Sequence, residues 1–215
     1  MKPDGLLVSM ALRARRSTLL SIFHAKSGHP GGSLSCIDIL TYLYNFEITG
    51  DSQSRLILSK GHAVPAWYSV AAEFGQIKKS ELISFRKLGS RLQGHPHVLS
   101  TSWVNTSTGS LGQGFSVAVG MALGMRHQHC ADHTFVLLGD GELQEGEVWE
   151  AAMSASHFDL NNLCAIIDYN KLQSDNYNKD IMGLEPLGLK WQAFGWKVIE
   201  IDGHDFDDIG KAVVE

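Results

Sequence analysis

Two polar residues near the middle of the sequence have types and spacing that suit a divalent metal ion. Asp140 follows the apolar run 134–138 between two glycines, and Asn170 follows the apolar run 163–167. Each run is typical of a buried parallel strand. Both side chains should therefore lie beyond strand carboxyl ends, where open α/β sheets bind ligands. A carboxylate, an amide oxygen and a nearby carbonyl are ligands that Mg²⁺ or Ca²⁺ prefers, often together with phosphates.

Gly141 strengthens this interpretation, because a glycine lets the backbone approach a diphosphate and its N–H can donate to one. Taken singly, Gly-Asp-Gly also suits a tight turn, and Asn170 also suits a helix cap. The intervening residues are enough for one helix and its loops. The two side chains can therefore meet at adjacent strand ends, and this combination favours a site for a metal and a diphosphate.

The elements that position these residues alternate between helix and strand, without repeats or a low-complexity linker. The apolar spacing predicts helices at residues 6–26, 34–46, 65–74, 115–125, 145–157 and 206–214. Ser33 is the predicted N-cap of the second helix. Strands are predicted at 55–59, 134–138, 163–167 and 196–201. Continuous apolar strands separated by helices predict an α/β fold, a three-layer parallel sheet with helices on both faces.

Composition excludes several function classes. The 215 residues are 44% hydrophobic and 19% charged, with a formal net charge of −5. This is ordinary for one soluble domain over residues 1–215. The sequence has no basic tract for nucleic acid and no apolar run of the roughly 20 residues that a membrane helix needs. Cys36, Cys130 and Cys164 form no CxxC pair, which indicates a reducing, cytoplasmic setting.

Seven short motifs give a more specific indication when they are taken in order. Gly139-Asp140-Gly141, followed after about thirty residues by Asn170 behind a strand, resembles the signature of thiamine diphosphate enzymes. The whole chain resembles the N-terminal, diphosphate-binding domain of transketolase, as found in split transketolases. The other segments that carry the resemblance are Lys26-Ser27-Gly28-His29-Pro30-Gly31, Ser59-Lys60-Gly61-His62-Ala63, Gly94-His95-Pro96, Thr108-Gly109-Ser110-Leu111-Gly112-Gln113-Gly114 and Gln144-Glu145-Gly146.

For the cofactor, the resemblance implies thiamine diphosphate held together with Mg²⁺ or Ca²⁺. The metal ligands that it implies are Asp140, Asn170, which also belongs to the cofactor site, and the carbonyl of Leu172. The implied diphosphate contacts are Gly141 and His62. The implied loop against the aminopyrimidine is Gly109, Ser110 and Leu111. Transketolases usually have proline where Ser110 stands.

For the substrate, the resemblance implies His29 and His95 as the catalytic histidines that face the sugar. Imidazole suits this role, because it binds hydroxyls and moves protons near neutral pH. The family often has glutamate where His97 stands, which leaves the substrate open. Glu145 and Glu150 match glutamates buried where two diphosphate-binding domains meet, whereas Glu142 and Glu147 are interpreted as solvated.

The implied reaction transfers a two-carbon ketol unit from a ketose, or its phosphate, to an aldose acceptor. The family's pyrimidine-binding domain has no counterpart in this sequence, and the family's last strand is missing too. The resemblance therefore implies a second copy of the chain and a C-terminal transketolase-like partner subunit. Two alternatives stay open. One is another thiamine diphosphate-dependent acyl or ketol transferase in a specialised pathway. The other is a non-catalytic module that binds a phosphate-containing cofactor through Gly109-x-x-Gly112-x-Gly114.

Overall fold

The computed structural model describes residues 5–48, 50, 52–174 and 176–214. These residues divide into two compact units. The first comprises the described residues within Met1–Ser52, Gly61–Ser107 and Ile201–Glu215, and the second those within Gln53–Lys60 and Thr108–Glu200.

The helices and strands, in chain order, have the following bounds. The helices are α1 (Gly5–Ala25), α2 (Pro30–Leu34), α3 (Ile37–Phe46), α4 (Val64–Glu73), α5 (Gln113–His127), α6 (Gly146–His157), α7 (Asn178–Ile181), α8 (Leu187–Ala193) and α9 (Phe206–Val214). The strands are β1 (Arg55–Leu58), β2 (Thr134–Gly139), β3 (Leu163–Asp168), β4 (Leu172–Gln173) and β5 (Asn176–Tyr177). Short 3₁₀ turns span Gly61–Ala63, Lys79–Ser84 and Gly141–Gln144.

The first unit is helical and is organised around α4. Residues 64–72 of α4 are all buried, so this helix is apolar on every side, and it contacts both α1 and α3. Pro65 fits its first turn, where the missing N–H removes no helical hydrogen bond. On α1, buried residues recur every three or four positions, as expected of a helix that buries one face.

The second unit contains a parallel sheet in the order β1-β2-β3. All six residues of the central strand β2 are buried, as its continuous apolar sequence predicts. Helix α5 contacts all three strands and packs against α6. Gly139, the last residue of β2, pairs with Asp168, the last residue of β3. This register brings the two chain segments that carry the predicted metal ligands to one edge of the sheet.

The predicted α/β fold with a parallel sheet is confirmed, and two element predictions are wrong. Ser33 lies inside α2 rather than at a helix start, because Pro30 begins a separate turn of helix and α3 starts only after Cys36. Residues 196–201 form no strand with the described chain. Trp196 and Val198 instead pack their side chains against the core of the second unit. None of the helices in the described residues could span a bilayer.

Candidate functional site

Each compact unit contains a cluster of polar residues that includes side chains predicted from the sequence to be functional. The strand-end cluster lies in the second unit and consists of Lys60, Asp140, Glu142, Asp168, Asn170 and Asn178. The histidine cluster lies in the first unit and consists of His29, His62, His95 and Arg86.

Asp140 follows β2 directly and is only 1% exposed. Its Oδ1 accepts a hydrogen bond from the Gly141 N–H at 2.8 Å, and its Oδ2 accepts one from the Lys171 N–H at 2.6 Å. Burial raises the pKa of Asp140, and these hydrogen bonds oppose the rise only in part. A divalent cation would stabilise such a carboxylate, because it offsets the desolvation of the charged form.

Asn170 and Leu172 share the turn that Asp140 holds. The Asn170 Oδ1 accepts a hydrogen bond from the Leu172 N–H at 2.9 Å, and an amide oxygen keeps a second lone pair for another ligand. The Lys171 N–H between them is bound to Asp140. All three residues predicted to hold a metal therefore meet at one turn after β3.

Asn178 adds a polar group that no sequence motif indicated. Its side chain is buried and close enough to Asp140 to lower the pKa of that carboxyl. Neither amide atom, however, has a hydrogen-bond partner of normal geometry among the described residues. A buried amide in this condition is costly unless a polar ligand satisfies it. The site is therefore chemically suited to a hydrated or phosphate-bound cation.

Gly141 is placed at the predicted edge of the sheet, but its side-chain position faces protein. Its N–H is bound to Asp140, and a Cβ at this position would lie 2.9 Å from the Cβ of Gln173. The close approach of β4 therefore requires a glycine here, independently of any phosphate. The predicted contact of its N–H with a diphosphate stays a prediction.

Glu142 is buried, so its interpretation as a solvated residue is wrong. Its Oε1 accepts hydrogen bonds from the Ser59 hydroxyl and, at 2.9 Å, from the Gly112 N–H. Its Oε2 accepts a third from the Gly139 N–H at 3.0 Å. Burial raises the pKa of Glu142 and these donors lower it. One carboxylate thus joins the end of β1, the end of β2 and the start of α5.

Lys60 and Asp168 form a second buried link between strand ends. The Lys60 ammonium pairs with the Asp168 carboxylate, and the two side chains are 1% and 8% exposed. Ser59 and Lys60 are consecutive residues after β1, so this segment is attached to Glu142 on one side and to the end of β3 on the other. Removing one partner of a buried ion pair typically costs about 3–5 kcal/mol. The base of the strand-end cluster is therefore rigid.

The loop predicted to contact the aminopyrimidine is held at both of its ends. Before Gly109, the Thr108 hydroxyl donates to the carbonyl of Leu58 at 2.6 Å. After Leu111, the Gly112 N–H is bound by Glu142. Ser110 itself is exposed between these two attachments. Position 110 is therefore restrained by its neighbours, although it lacks the proline that is usual in the family.

The histidine cluster brings together the histidines of three of the four Gly-His pairs in the sequence. The rings of His29 and His62 are 5.1 Å apart and meet edge to face. Burial, and then the positive charge of Arg86, lower the pKa of His29. The same two causes, with His29 itself, lower the pKa of His95. Both imidazoles are therefore neutral at neutral pH and able to accept a proton.

The family model described as "Transketolase, thiamine diphosphate binding domain" matches residues 9–215. The chain belongs to this family.

Relatives that are named as transketolase subunits are similar to this chain along most of their own length. The 6-deoxy-6-sulfo-D-fructose transketolase subunit SqwG of Clostridium sp. (strain MSTE9) is 44% identical over 206 residues, covering 93% of this chain and 75% of the relative. An apulose-4-phosphate transketolase subunit from Phocaeicola vulgatus is 39% identical over 203 residues, covering 91% and 72%. These relatives are single subunits by name.

Solved transketolases share the fold of this transketolase-family chain. The Campylobacter jejuni enzyme superposes with a TM-score of 0.90 at 30% identity, covering 98% of this chain but 35% of that enzyme. The chain thus spans about a third of a transketolase of that kind. Its resemblance to the N-terminal, diphosphate-binding domain is confirmed.

The residues of the transketolase-family motifs fit a metal-bound diphosphate. The fit rests on the buried Asp140 carboxylate, the Asn170 turn and the unsatisfied Asn178 amide. Glu145 and Glu150 are exposed in this chain, and their burial against a second copy stays a prediction.

Sequence reasoning assigned no role to five residues of the two clusters, which are Lys60, Arg86, Glu142, Asp168 and Asn178. Glu142 and Asn178 stand out because they are buried polar residues, and Arg86 stands out because it connects distant segments. No local sequence motif indicates either property. A partial signal for Glu142 was its position two residues after Asp140.

Proposed function

We propose that this chain is the thiamine diphosphate-binding subunit of a transketolase that moves a two-carbon ketol unit from a ketose to an aldose. The observation that carries the proposal is the meeting of Asp140, Asn170 and Leu172 at one turn beyond neighbouring parallel strands. The family membership and the histidine cluster support it.

Within this proposal, the strand-end cluster holds the cofactor. Asp140, Asn170 and the Leu172 carbonyl would bind Mg²⁺ or Ca²⁺, while Gly141 and His62 would contact the diphosphate. When bound, thiamine diphosphate supplies the nucleophilic carbon that attacks the ketose carbonyl. The protein's own contribution is to keep the strand ends fixed through Glu142 and through the Lys60–Asp168 pair, so that the ligands need no rearrangement.

The histidine cluster would handle the sugar. His29 and His95 are neutral at neutral pH because burial and Arg86 lower their pKa. A neutral imidazole can accept a proton from a sugar hydroxyl in one step and return it in a later one. The substrate is a sugar or sugar phosphate, and its identity is open because relatives by name act on different sugars.

Catalysis would require other chains. Two relatives, of which this chain covers 75% and 72%, are named as subunits, and we infer a partner subunit that supplies the pyrimidine-binding domain. A second copy of the chain would cover Glu145 and Glu150, since two nearby carboxylates are best accommodated at a contact where they share protons or find donors. Cys36, Cys130 and Cys164 form no disulfide within the described residues, which supports a reducing, cytoplasmic location.

The deciding experiment assays ketol transfer by the purified chain with thiamine diphosphate and Mg²⁺, with and without the product of the neighbouring gene. We expect turnover only with both proteins present. The matched control is Asp140→Ala together with the same partner, which should be inactive. Substantial turnover by the chain alone would reject the division into subunits, and turnover by Asp140→Ala would reject the metal site.

The structure offers an argument against the phosphate-cradle alternative. The Gly112 N–H, which a cradle built from Gly109-x-x-Gly112-x-Gly114 would direct at a phosphate, is already bound to the Glu142 carboxylate. In the assembled enzyme, thiamine diphosphate with Mg²⁺ at 100 times its dissociation constant should add about 2.7 kcal/mol of stability. An equally large stabilisation by ATP would favour the cradle instead. Another thiamine diphosphate-dependent acyl or ketol transferase would show the same cofactor response but no transfer of a two-carbon ketol unit between these sugars.

A further inference from the structure

Arg86 connects the two Gly-His segments that carry the predicted catalytic histidines. Its Nη1 donates to the Ser27 hydroxyl at 2.7 Å, and its Nη2 donates to the Gly94 carbonyl at 3.4 Å. Ser27 lies two residues before His29, and Gly94 lies immediately before His95. A single guanidinium therefore contacts both segments at positions next to the imidazoles.

The backbone of Arg86 is held in an unusual conformation to make this bridge. Its φ is +58°, in the left-handed region of the Ramachandran plot. This region is unfavourable for residues other than glycine. The Arg86 N–H donates to the Leu92 carbonyl at 2.9 Å, and the guanidinium carbon lies 5.5 Å from the centre of the Phe85 ring. An arginine kept in a conformation where glycine would be less strained indicates a function for its side chain.

Gly94 shows that the guanidinium is packed tightly on the second segment. A Cβ at position 94 would lie 2.6 Å from the Arg86 Nε and 2.9 Å from its Cζ and Nη2. Gly94 does not have a positive φ, so its backbone would accept an alanine. The three atoms nearest to such a Cβ all belong to the Arg86 guanidinium, so an alanine here would have to displace it.

We propose that Arg86 is a positioning residue, whose guanidinium joins the Ser27-Gly28-His29 segment to the Gly94-His95 segment and so fixes both imidazoles for proton transfer. Its role in turnover rests on the proposed transketolase activity. A bidentate guanidinium suits this task, because its planar fork fixes two acceptors at once, whereas a lysine ammonium is a point charge.

The charge of Arg86 contributes as well as its shape. It lowers the pKa of both His29 and His95, after the larger effect of burial. Among the described residues, His29 also acts on His95, and the His62 ring lies against His29. Arg86 thus contacts both segments that carry the imidazoles, and its charge adds to the effect of burial in favouring their neutral form.

The first test needs no activity and uses the full chain alone. Side-chain NMR titrations would follow His29 and His95 in the wild type and in Arg86→Met, Arg86→Lys and Gly94→Ala. Arg86→Met should raise both pKa values, Arg86→Lys should largely preserve them, and Gly94→Ala should raise them because its Cβ displaces the guanidinium. Lys87→Met is the control, because it removes a neighbouring exposed charge. Unchanged titrations in Arg86→Met, or equal changes in Lys87→Met, would overturn the proposal.

The second test uses the enzyme assembled with its partner, and separates positioning from direct substrate binding. Arg86→Lys and Gly94→Ala should each lower kcat by at least about tenfold with little change in KM, since small misplacements of catalytic groups cost this much or more. The double variant Arg86→Met/Gly94→Ala should lose no more of kcat than Arg86→Met does.

A rise in KM confined to phosphorylated sugars would overturn positioning in favour of a contact with the substrate anion. No ketol transfer by the wild type would reject the proposed function, and the NMR titrations would still decide on Arg86.

Discussion

The strand-end cluster and the histidine cluster are built by opposite means. In the strand-end cluster, the carboxylates of Asp140 and Glu142 are 1% and 2% exposed and accept backbone N–H groups at the ends of parallel strands. In the histidine cluster, the imidazoles lie on turns and are joined by an exposed arginine. Buried carboxylates bonded to the backbone at strand ends suit a permanent ligand. Neutral imidazoles on turns suit a substrate that enters and leaves.

This difference also decides what a substitution should do. A change in the strand-end cluster should affect cofactor binding and folding together, because the same hydrogen bonds serve both. A change in the histidine cluster should affect turnover and leave the fold intact. Residues of one cluster can therefore be tested against residues of the other, or against matched controls.

The largest effect is expected for Asp140→Ala, which removes a proposed metal ligand and the acceptor of the Lys171 N–H. Outer groups that only support metal ligands change affinity by about 10–100-fold, so loss of a ligand should cost at least about 100-fold in cofactor affinity. Calorimetry with thiamine diphosphate and Mg²⁺ on the assembled enzyme would measure it. Excess chelator should have the same effect on the wild type. Unchanged affinity in either experiment would refute the assignment of the site.

The histidine cluster should divide into two kinds of residue. His29→Ala and His95→Ala should lower sugar turnover by about 100–10,000-fold, as loss of general acid–base catalysis does, with little change in cofactor affinity. His62→Ala should instead weaken cofactor binding. Steady-state kinetics and calorimetry on the same three preparations would separate the two effects. Equal loss of cofactor affinity in all three variants would show that the division is wrong.

Glu142→Gln should destabilise the fold by about 1–3 kcal/mol, the usual effect of a buried donor without an acceptor. The glutamine Oε1 can still accept from Ser59 and Gly112, but its NH₂ would then face the Gly139 N–H. The control is Glu147→Gln, because Glu147 accepts one bond from the Ser116 hydroxyl, which can rotate. That variant should change stability by no more than about 0.5 kcal/mol. Urea unfolding would measure the free energy of unfolding of both variants. Equal losses in the two variants would show that the hydrogen bonds of Glu142 do not stabilise the fold.

The strand-end cluster was the more predictable of the two from sequence. Asp140 and Asn170 follow continuous apolar runs, and the carboxyl ends of parallel strands necessarily meet at one edge. The prediction of a strand at residues 196–201 was wrong, although it rested on the same signal, an apolar run. Its apolar residues signal burial, and Trp196 and Val198 are packed against the core, but burial alone does not supply a neighbouring strand to pair with.

Contacts between distant side chains could not be predicted. Glu142 looked solvated because its three donors come from residues 59, 112 and 139, and only the folded sheet brings them together. Arg86 carries no motif, and its partners are 59 and 8 residues away in sequence. The Gly-His pairs themselves were visible, but their joining by one guanidinium depends on a turn conformation that no local signal specifies.

The smallest expected effect is a dependence of stability on pH that comes from the histidine cluster. The pKa values of His29 and His95 lie below the ordinary value of 6.5, so the unfolded chain binds protons at these residues more readily than the folded chain. Stability should therefore decrease as the pH falls through 6.5 towards the lower folded pKa values, and these residues should contribute no such decrease above that window.

The variant His29→Gln/His95→Gln should lose less stability than the wild type between about pH 7.5 and pH 5.5. Arg86→Met should behave similarly, because it removes one cause of the lowered values, whereas Lys87→Met should follow the wild type. Melting temperatures of the chain at a series of pH values would test this. A double variant that loses as much stability as the wild type would mean that the two imidazoles titrate normally, and that the neutral histidines of the proposed mechanism need another explanation.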